Sequence, residues 1–341
     1  MHVGASRAPW ARWLIRAAVS AAVIAILLAF VPVAAVAGAL SRVRPWTWIA
    51  AVVIFFAGHY LNAVKLWLLM SPGVVSGSTK GQEVPFSQGV SASAAGGNDA
   101  RAHFLCVRAQ YAGLVANLAL PGIAGGDLMR AAYLAPTVGL ARVTVASIAD
   151  RIIDTATLFV LIAIALPLAG LPPAVADVVR QAGLWIAVAI PAAVAAFLAV
   201  RLVLRRPAIA AKFASLRSAF RAGVPAILGA VAISLAVQSA FVMTNVWLAR
   251  EVGVTTALAA WFVAWPLSKL IAILPISLGG LGVREAALVS LLAPYGASND
   301  AVLASGILWQ SVLIVTGFVG LAVTQLLPQA PGTAPAARGV S

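Results

Sequence analysis

From Ala222 to Ala249 the chain carries no formal charge. A hydrocarbon core about 30 Å thick is crossed by roughly 20 apolar residues in helical form. That run alone is long enough to cross, and it is not alone. Uncharged runs also cover Ala17–Ser41, Thr155–Ala176, Gln181–Val200 and Ala301–Leu327. Trp46–Met70 is interrupted only by Lys65, near one end. Over the whole chain 62% of residues are hydrophobic and 9% charged. A soluble domain has about 25% charged residues, so this chain cannot cover a water-facing surface. A soluble enzyme, a disordered regulator and a disulfide scaffold are excluded; Cys106 is the only cysteine.

Two further apolar runs are short. Phe104–Leu120 breaks at Pro121-Gly122, and Val252–Ser268 leads through Lys269 to Pro275. The expected fold is an all-α integral membrane protein. It has six full spans plus two re-entrant hairpins broken by Gly and Pro. The spans form one polytopic domain, 1–327, followed by a disordered Pro/Ala/Gly-rich tail, 328–341. The polar stretch Ser71–Ala102 reads as a loop. The run after Arg7, Arg12 and Arg16 has features of a signal peptide, but its length favours a retained helix.

Lys+Arg total 23 against 9 Asp+Glu, a net charge of +14. In a soluble chain that excess would suggest nucleic acid. Here the cations fall between apolar runs, as the positive-inside rule expects, and no nucleic-acid partner is implied. Six of them, and no acid, lie in 201–221, which marks that loop as cytoplasmic. With a cytoplasmic N-terminus, the count of crossings closes only if the run ending at Pro121 dips in and returns. Both termini are then cytoplasmic, and Arg42 and Arg44 lie outside against the rule.

The two broken segments, within 117–134 and 271–288, resemble each other. Leu120-Pro121, Gly125-Gly126, Arg130 and Ala132 match Leu274-Pro275, Gly279-Gly280, Arg284 and Ala286 without a gap. Each reads as helix, break, half-helix. Such segments at matching places in two halves point to a binding site in transporters built from inverted repeats. The plain alternative is two surface loops, each capping a helix with glycine.

A half-helix start offers free N–H groups and a partial positive charge, and an arginine fork suits phosphate. Arg130 and Arg284 are therefore candidate contacts for an anionic headgroup; snorkelling to the interface is the alternative for each. Asp127 is read first as a helix cap and second as a partner of Arg130. Asp150, Arg151 and Asp154 open an apolar run. They mark either a pathway within the membrane or a solvated turn. Lys269 and Glu285 are further candidates. His2, His59 and His103 have no metal-ligand spacing. Neither a nucleotide motif nor a cofactor site is apparent. Trp46, Trp48, Trp261 and Trp265 read as interface anchors.

The segment NLALPGIAGGDLMRAAYL, Asn117–Leu134, resembles the N-x-x-L-P-G-x-x-G-G-D-x-x-R-A motif of the flippase-like membrane domain family. VASIADRIIDTATLFVL, Val145–Leu161, is similar to that family's Asp-Arg helix, and PISLGGLGVREAALVSLLAPYG, Pro275–Gly296, to its second signature. This domain forms the membrane part of lysylphosphatidylglycerol synthase, where it is held to flip the aminoacylated lipid. The resemblance implies roles for Asn117, Pro121, Gly125, Gly126, Asp127, Arg130, Asp150, Arg151, Gly279, Gly280, Arg284 and Glu285. The soluble transferase domain of those synthases has no counterpart in the fourteen residues after the last span. Aminoacyl transfer is therefore not expected. The expectation is a non-enzymatic translocase in the cell membrane. It would carry an anionic lipid or polyprenyl-linked saccharide, without ATP or other cofactor. Its rivals are an accessory subunit of a membrane enzyme and a membrane-embedded transferase using the Asp pair.

Overall fold

The computed structural model describes residues 43–70, 98–119, 124–170, 223–272 and 283–326, with Gly38, Ser41, Ala176 and Asp177 besides. Several expectations lie outside the described residues: the spans 17–41 and 181–200, the loop 201–221, the tail, and Pro121, Gly279 and Gly280. Among the described residues there are eight helices and no strand. They are α1 (Pro45–Met70), α2 (Asn98–Ala119), α3 (Ala124–Val138), α4 (Leu140–Ala169), α5 (Val224–Glu251), α6 (Leu258–Ile271), α7 (Val283–Leu292) and α8 (Asn299–Leu326). Four of these, α1, α4, α5 and α8, are long and apolar enough to cross a membrane. They coincide with four of the six runs marked in the sequence.

The surface supports the same conclusion. Ile148, Ile152, Ile164 and Leu168 line α4 at helical spacing and are all exposed, while Lys65, Arg130 and Asp150 are buried. A soluble monomer rarely exposes contiguous apolar surface of this kind. A lipid-solvated one has no reason to hide it.

Chain punctuation sets the helix ends. Pro225 opens α5 behind Gly223. Gly139 separates α3 from α4 with φ at 87°, a conformation that costs an L side chain about 1 kcal/mol or more. The two helices therefore meet at a sharp turn rather than merging.

Helices α1 and α5 pack antiparallel. Arg44 and Thr47 bond Glu251 at one end, and Gly229 meets Leu68 at the other. Between them Gly58 admits the Phe241 ring, which a Cβ at that position would meet at 2.5 Å. Phe241, Phe55, Trp309 and Trp265 then continue as a ladder of ring contacts, with centroids 4.8 to 5.9 Å apart. Trp261 and Trp265 belong to this core, 1% and 3% exposed. They are not interface anchors as the sequence suggested; α6 packs between α4 and α7, and its tryptophans turn inward. Trp46, 70% exposed, does stand at a helix end.

A second core joins Met70 and Leu69 of α1, Ala102 and Leu105 near the start of α2, Leu134 near the end of α3, Val143 near the start of α4 and Ala230 near the start of α5. Helices α2 and α3 thus form a hairpin whose open end lies beside the end of α1. Helices α6 and α7 form another. Their outer ends pack with the opposite end of the bundle: Trp261 and Leu292 share a core with Val43, Ala249 and Val302.

Candidate functional site

Asp150 and Asp154 are one turn apart on α4, so both reach the same neighbour. That neighbour is Lys65 of α1, fully buried, with Nζ 2.9 Å from Asp150 Oδ1 and 2.5 Å from Asp154 Oδ1. The other oxygen of Asp150 lies 3.3 Å from Arg130 Nη1 of α3, which is also 3.3 Å from Asp127 Oδ1. Asp127 in turn accepts both arms of Arg151, from Nε and Nη2, each at 3.1 Å. At the far end Ser234 of α5 donates to Asp154 at 2.6 Å and shares a 2.8 Å hydroxyl bond with Thr157. The result is one line of alternating charge: Arg151, Asp127, Arg130, Asp150, Lys65, Asp154.

Exposure falls along that line to Lys65 and rises again at Asp154, whose side chain is 23% exposed. The side chains of Arg151 and Asp127 are 39% and 29% exposed, those of Arg130 and Asp150 8% and 6%, and that of Lys65 0%. The relay is therefore partly open at both ends and sealed in the middle. Each ionised group at membrane depth costs about 2.5–3.5 kcal/mol on insertion scales, so the three buried ones, Arg130, Asp150 and Lys65, would cost roughly 7.5–10.5 kcal/mol if uncompensated. A domain's whole stability is about 5–15 kcal/mol. Pairing is therefore a condition of folding here.

Several sequence expectations are refined. The span read as starting at Thr155 begins at Leu140, so Asp150, Arg151 and Asp154 lie well inside a helix. They are not a solvated turn, because Lys65, Arg130 and Ser234 supply them with partners. In the described contacts Asp127 pairs with arginines rather than capping. The first-turn N–H of Gly126 is instead bonded by Asn117 Oδ1 of α2, at 2.7 Å. Gly125 and Gly126 are buried beside it; a Cβ on Gly126 would meet the Asn117 amide at 2.5 Å.

The second hairpin supplies Arg284 and Glu285, which pair with each other. The Arg284 guanidinium lies 5.2 Å over the Trp265 ring, and Glu285 is buried against Gly306 of α8. Lys269 of α6 bonds Gln238 Oε1 of α5 at 2.9 Å. It lies within electrostatic reach of Asp154, Lys65, Arg151 and Arg284. His59, bonded to Gln110 at 3.1 Å, feels Arg130, Lys269, Lys65 and Asp154. The charges of both halves thus belong to one electrostatic neighbourhood.

Sequence reasoning passed over Lys65, Ser234 and Gln238. A lysine inside an otherwise uncharged span was the available signal for the first. The two neutral residues gave none. Among the described residues no group of His, Cys, Asp and Glu is arranged to hold a metal. A groove of about 490 Å³ lies elsewhere, between α1 and α5, lined by Ile54, Met243, Trp247 and Arg250 among others. It contains none of the relay residues.

The model of the lysylphosphatidylglycerol synthase TM region matches residues 13–320. The chain belongs to that family. The family is one of membrane domains, linked by its name to an enzyme that modifies a lipid, and the four candidate spans agree with membrane residence. No curated protein and no solved structure matches the chain.

Proposed function

We propose that this family member moves the headgroup of an anionic lipid or lipid-linked saccharide between leaflets, making and breaking no covalent bond. The observation that carries this reading is the relay, partly open at Arg151 and Asp127 and again at Asp154, and sealed between them at Lys65. An arginine already holding a carboxylate can exchange it for a phosphate oxygen at little net cost, since one charge-assisted bond replaces another. A series of such pairs gives a charged headgroup a path on which it is never unpaired.

Two features support translocation over its rivals. Asp150 and Asp154 are both engaged by Lys65, so neither is a free nucleophile or base for a transferase. The hairpins α2–α3 and α6–α7 open toward opposite ends of the bundle, the arrangement expected of oppositely oriented repeats around a shared site.

The test is lipid movement in proteoliposomes, read by chemical quenching of headgroup-labelled lipids in the outer leaflet. Wild-type protein should accelerate the loss of an anionic label over protein-free vesicles, and Arg130→Ala should remove that acceleration. If no lipid of a broad headgroup panel moves faster with the protein, the accessory-subunit reading replaces this one.

A further inference from the structure

The charges of the site do not balance. Lys65, Arg130 and Arg151 are matched by Asp127, Asp150 and Asp154, and Arg284 is matched by Glu285. Lys269 is left over. Among the described residues its ammonium has one neutral bond, to Gln238 Oε1, and no carboxylate within ion-pair distance. The loop tips 120–123 and 273–282 contain no ionisable residue, so neither can supply the missing acid. The Lys269 residue is half-buried, with its ammonium at the buried end of the side chain. The preceding turn of α6 and the helix whose tryptophan packs on it hold further unmet polar atoms. Trp265, one turn earlier on α6, and its ring neighbour Trp309 both have buried indole N–H groups without acceptors, and Gln310 beside Trp309 has both ends of its amide unbonded. Buried donors of this kind are normally satisfied.

We infer that Lys269 and Gln238 form a binding site for a phosphodiester monoanion, the one negative charge that neutralises the cluster. This rests on the translocase reading for its role, though the site itself does not depend on transport. The ammonium binds the non-bridging oxygens as a point charge, and the Gln238 amide N–H₂, whose carbonyl already holds Lys269, is free to donate to the same oxygens. A phosphomonoester dianion overfills the site by one charge. An aminoacylated headgroup, which carries its phosphate together with extra ammonium groups, adds positive charge to a cluster already in excess and is disfavoured.

The experiment is binding to full-length protein in nanodiscs of zwitterionic phosphatidylcholine, titrated with phosphatidylglycerol and read by native mass spectrometry. Phosphatidic acid, lysylphosphatidylglycerol and acyl-free glycerophosphoglycerol form parallel arms. Phosphatidylglycerol should bind in preference to the other two lipids. Lys269→Gln should weaken it by at least about tenfold, the loss expected of one charge-assisted bond, while Lys269→Arg retains it. Competition by glycerophosphoglycerol at equal concentration makes a free diester the ligand; no competition makes it a lipid. Either result keeps the monoanion site. Unchanged phosphatidylglycerol binding by folded Lys269→Gln overturns it, as does preference for the aminoacylated lipid. The two readings fail separately. Lys269-dependent binding without lipid movement sinks translocation alone. Movement that persists in Lys269→Gln with the same headgroup order sinks the site alone.

Discussion

Lys65 is a single cation serving two carboxylates at 2.9 and 2.5 Å. Among the described residues, its loss leaves Asp154 without a paired cation and Asp150 with Arg130 alone. Removing one partner of a buried pair costs about 3–5 kcal/mol, so Lys65→Met should leave little folded protein after detergent extraction. Adding Asp154→Asn to Lys65→Met should recover it, because Asp150 still pairs with Arg130 and neither position is left with a carboxylate lacking a cation. Monodispersity and melting temperature by size exclusion read both. Failure of the double variant to recover would mean that Lys65 acts through packing rather than charge. Asp127 sits at the more exposed end, so solvent screens its loss. Asp127→Asn should cost about 1 kcal/mol or less and should tighten anion binding by freeing Arg151 and Arg130 from their shared acceptor. Weaker anion binding in Asp127→Asn would contradict the exchange mechanism. The sequence made the acidic and arginine members of this network legible, since charges are conspicuous in so apolar a chain. It did not reveal who pairs with whom. Lys65 lies 89 residues from Asp154, and such partners are decided by helix packing, which has no local signature.

At the scale of elements, a side-chain bond among the described residues crosses between α2 and α3 near the tip of their hairpin. Asn117 Oδ1 receives the Gly126 N–H, and the absence of a Cβ at Gly126 lets the two approach. Asn117→Ala should cost about 0.5–2 kcal/mol, as for loss of a helix cap. Gly126→Ala displaces the same amide and should cost at least as much. Because both changes break one contact, the double variant should be little worse than Gly126→Ala alone; full additivity in melting temperature would show that the bond is not the shared cause. The Gly-Gly pair was readable as a break, yet its function is close approach rather than a turn alone, and that required the neighbouring helix to be seen. Periodicity also misplaced the start of α4 by reading Asp150, Arg151 and Asp154 as a boundary. Charges end a span only when nothing inside the protein neutralises them.

For the molecule as a whole, the packing and the charge bias can be combined into one orientation. The end of α1 shares a core with the beginnings of α2, α4 and α5 and the end of α3. Thr324, near the end of α8, accepts a bond from Arg108 of α2 at 3.1 Å, and Gly320 one turn earlier packs on Tyr111. That sets α8 antiparallel to α2, so α8 finishes at the same end of the bundle. The basic segment 201–221 leads directly into α5, so the positive-inside rule predicts that this end faces the cytoplasm. The opposite end contains Arg44, which by count alone opposes the rule. Arg44 is answered there by Glu251 at 2.6 Å; the bond raises the guanidinium's pKa, so the pair stays ionised across the physiological range. That single cation is outweighed by the six in 201–221. Cysteine labelling tests the assignment on a background in which the sole native thiol, Cys106, is buried. Leu140→Cys, Val224→Cys and Leu326→Cys, at exposed positions, should react with an impermeant maleimide only in inside-out vesicles. Trp46→Cys and Leu168→Cys, also exposed, should react in intact cells. Labelling of Leu140→Cys from outside together with Val224→Cys from inside would separate the two ends that the core joins, and with them the hairpin on which the translocation path depends.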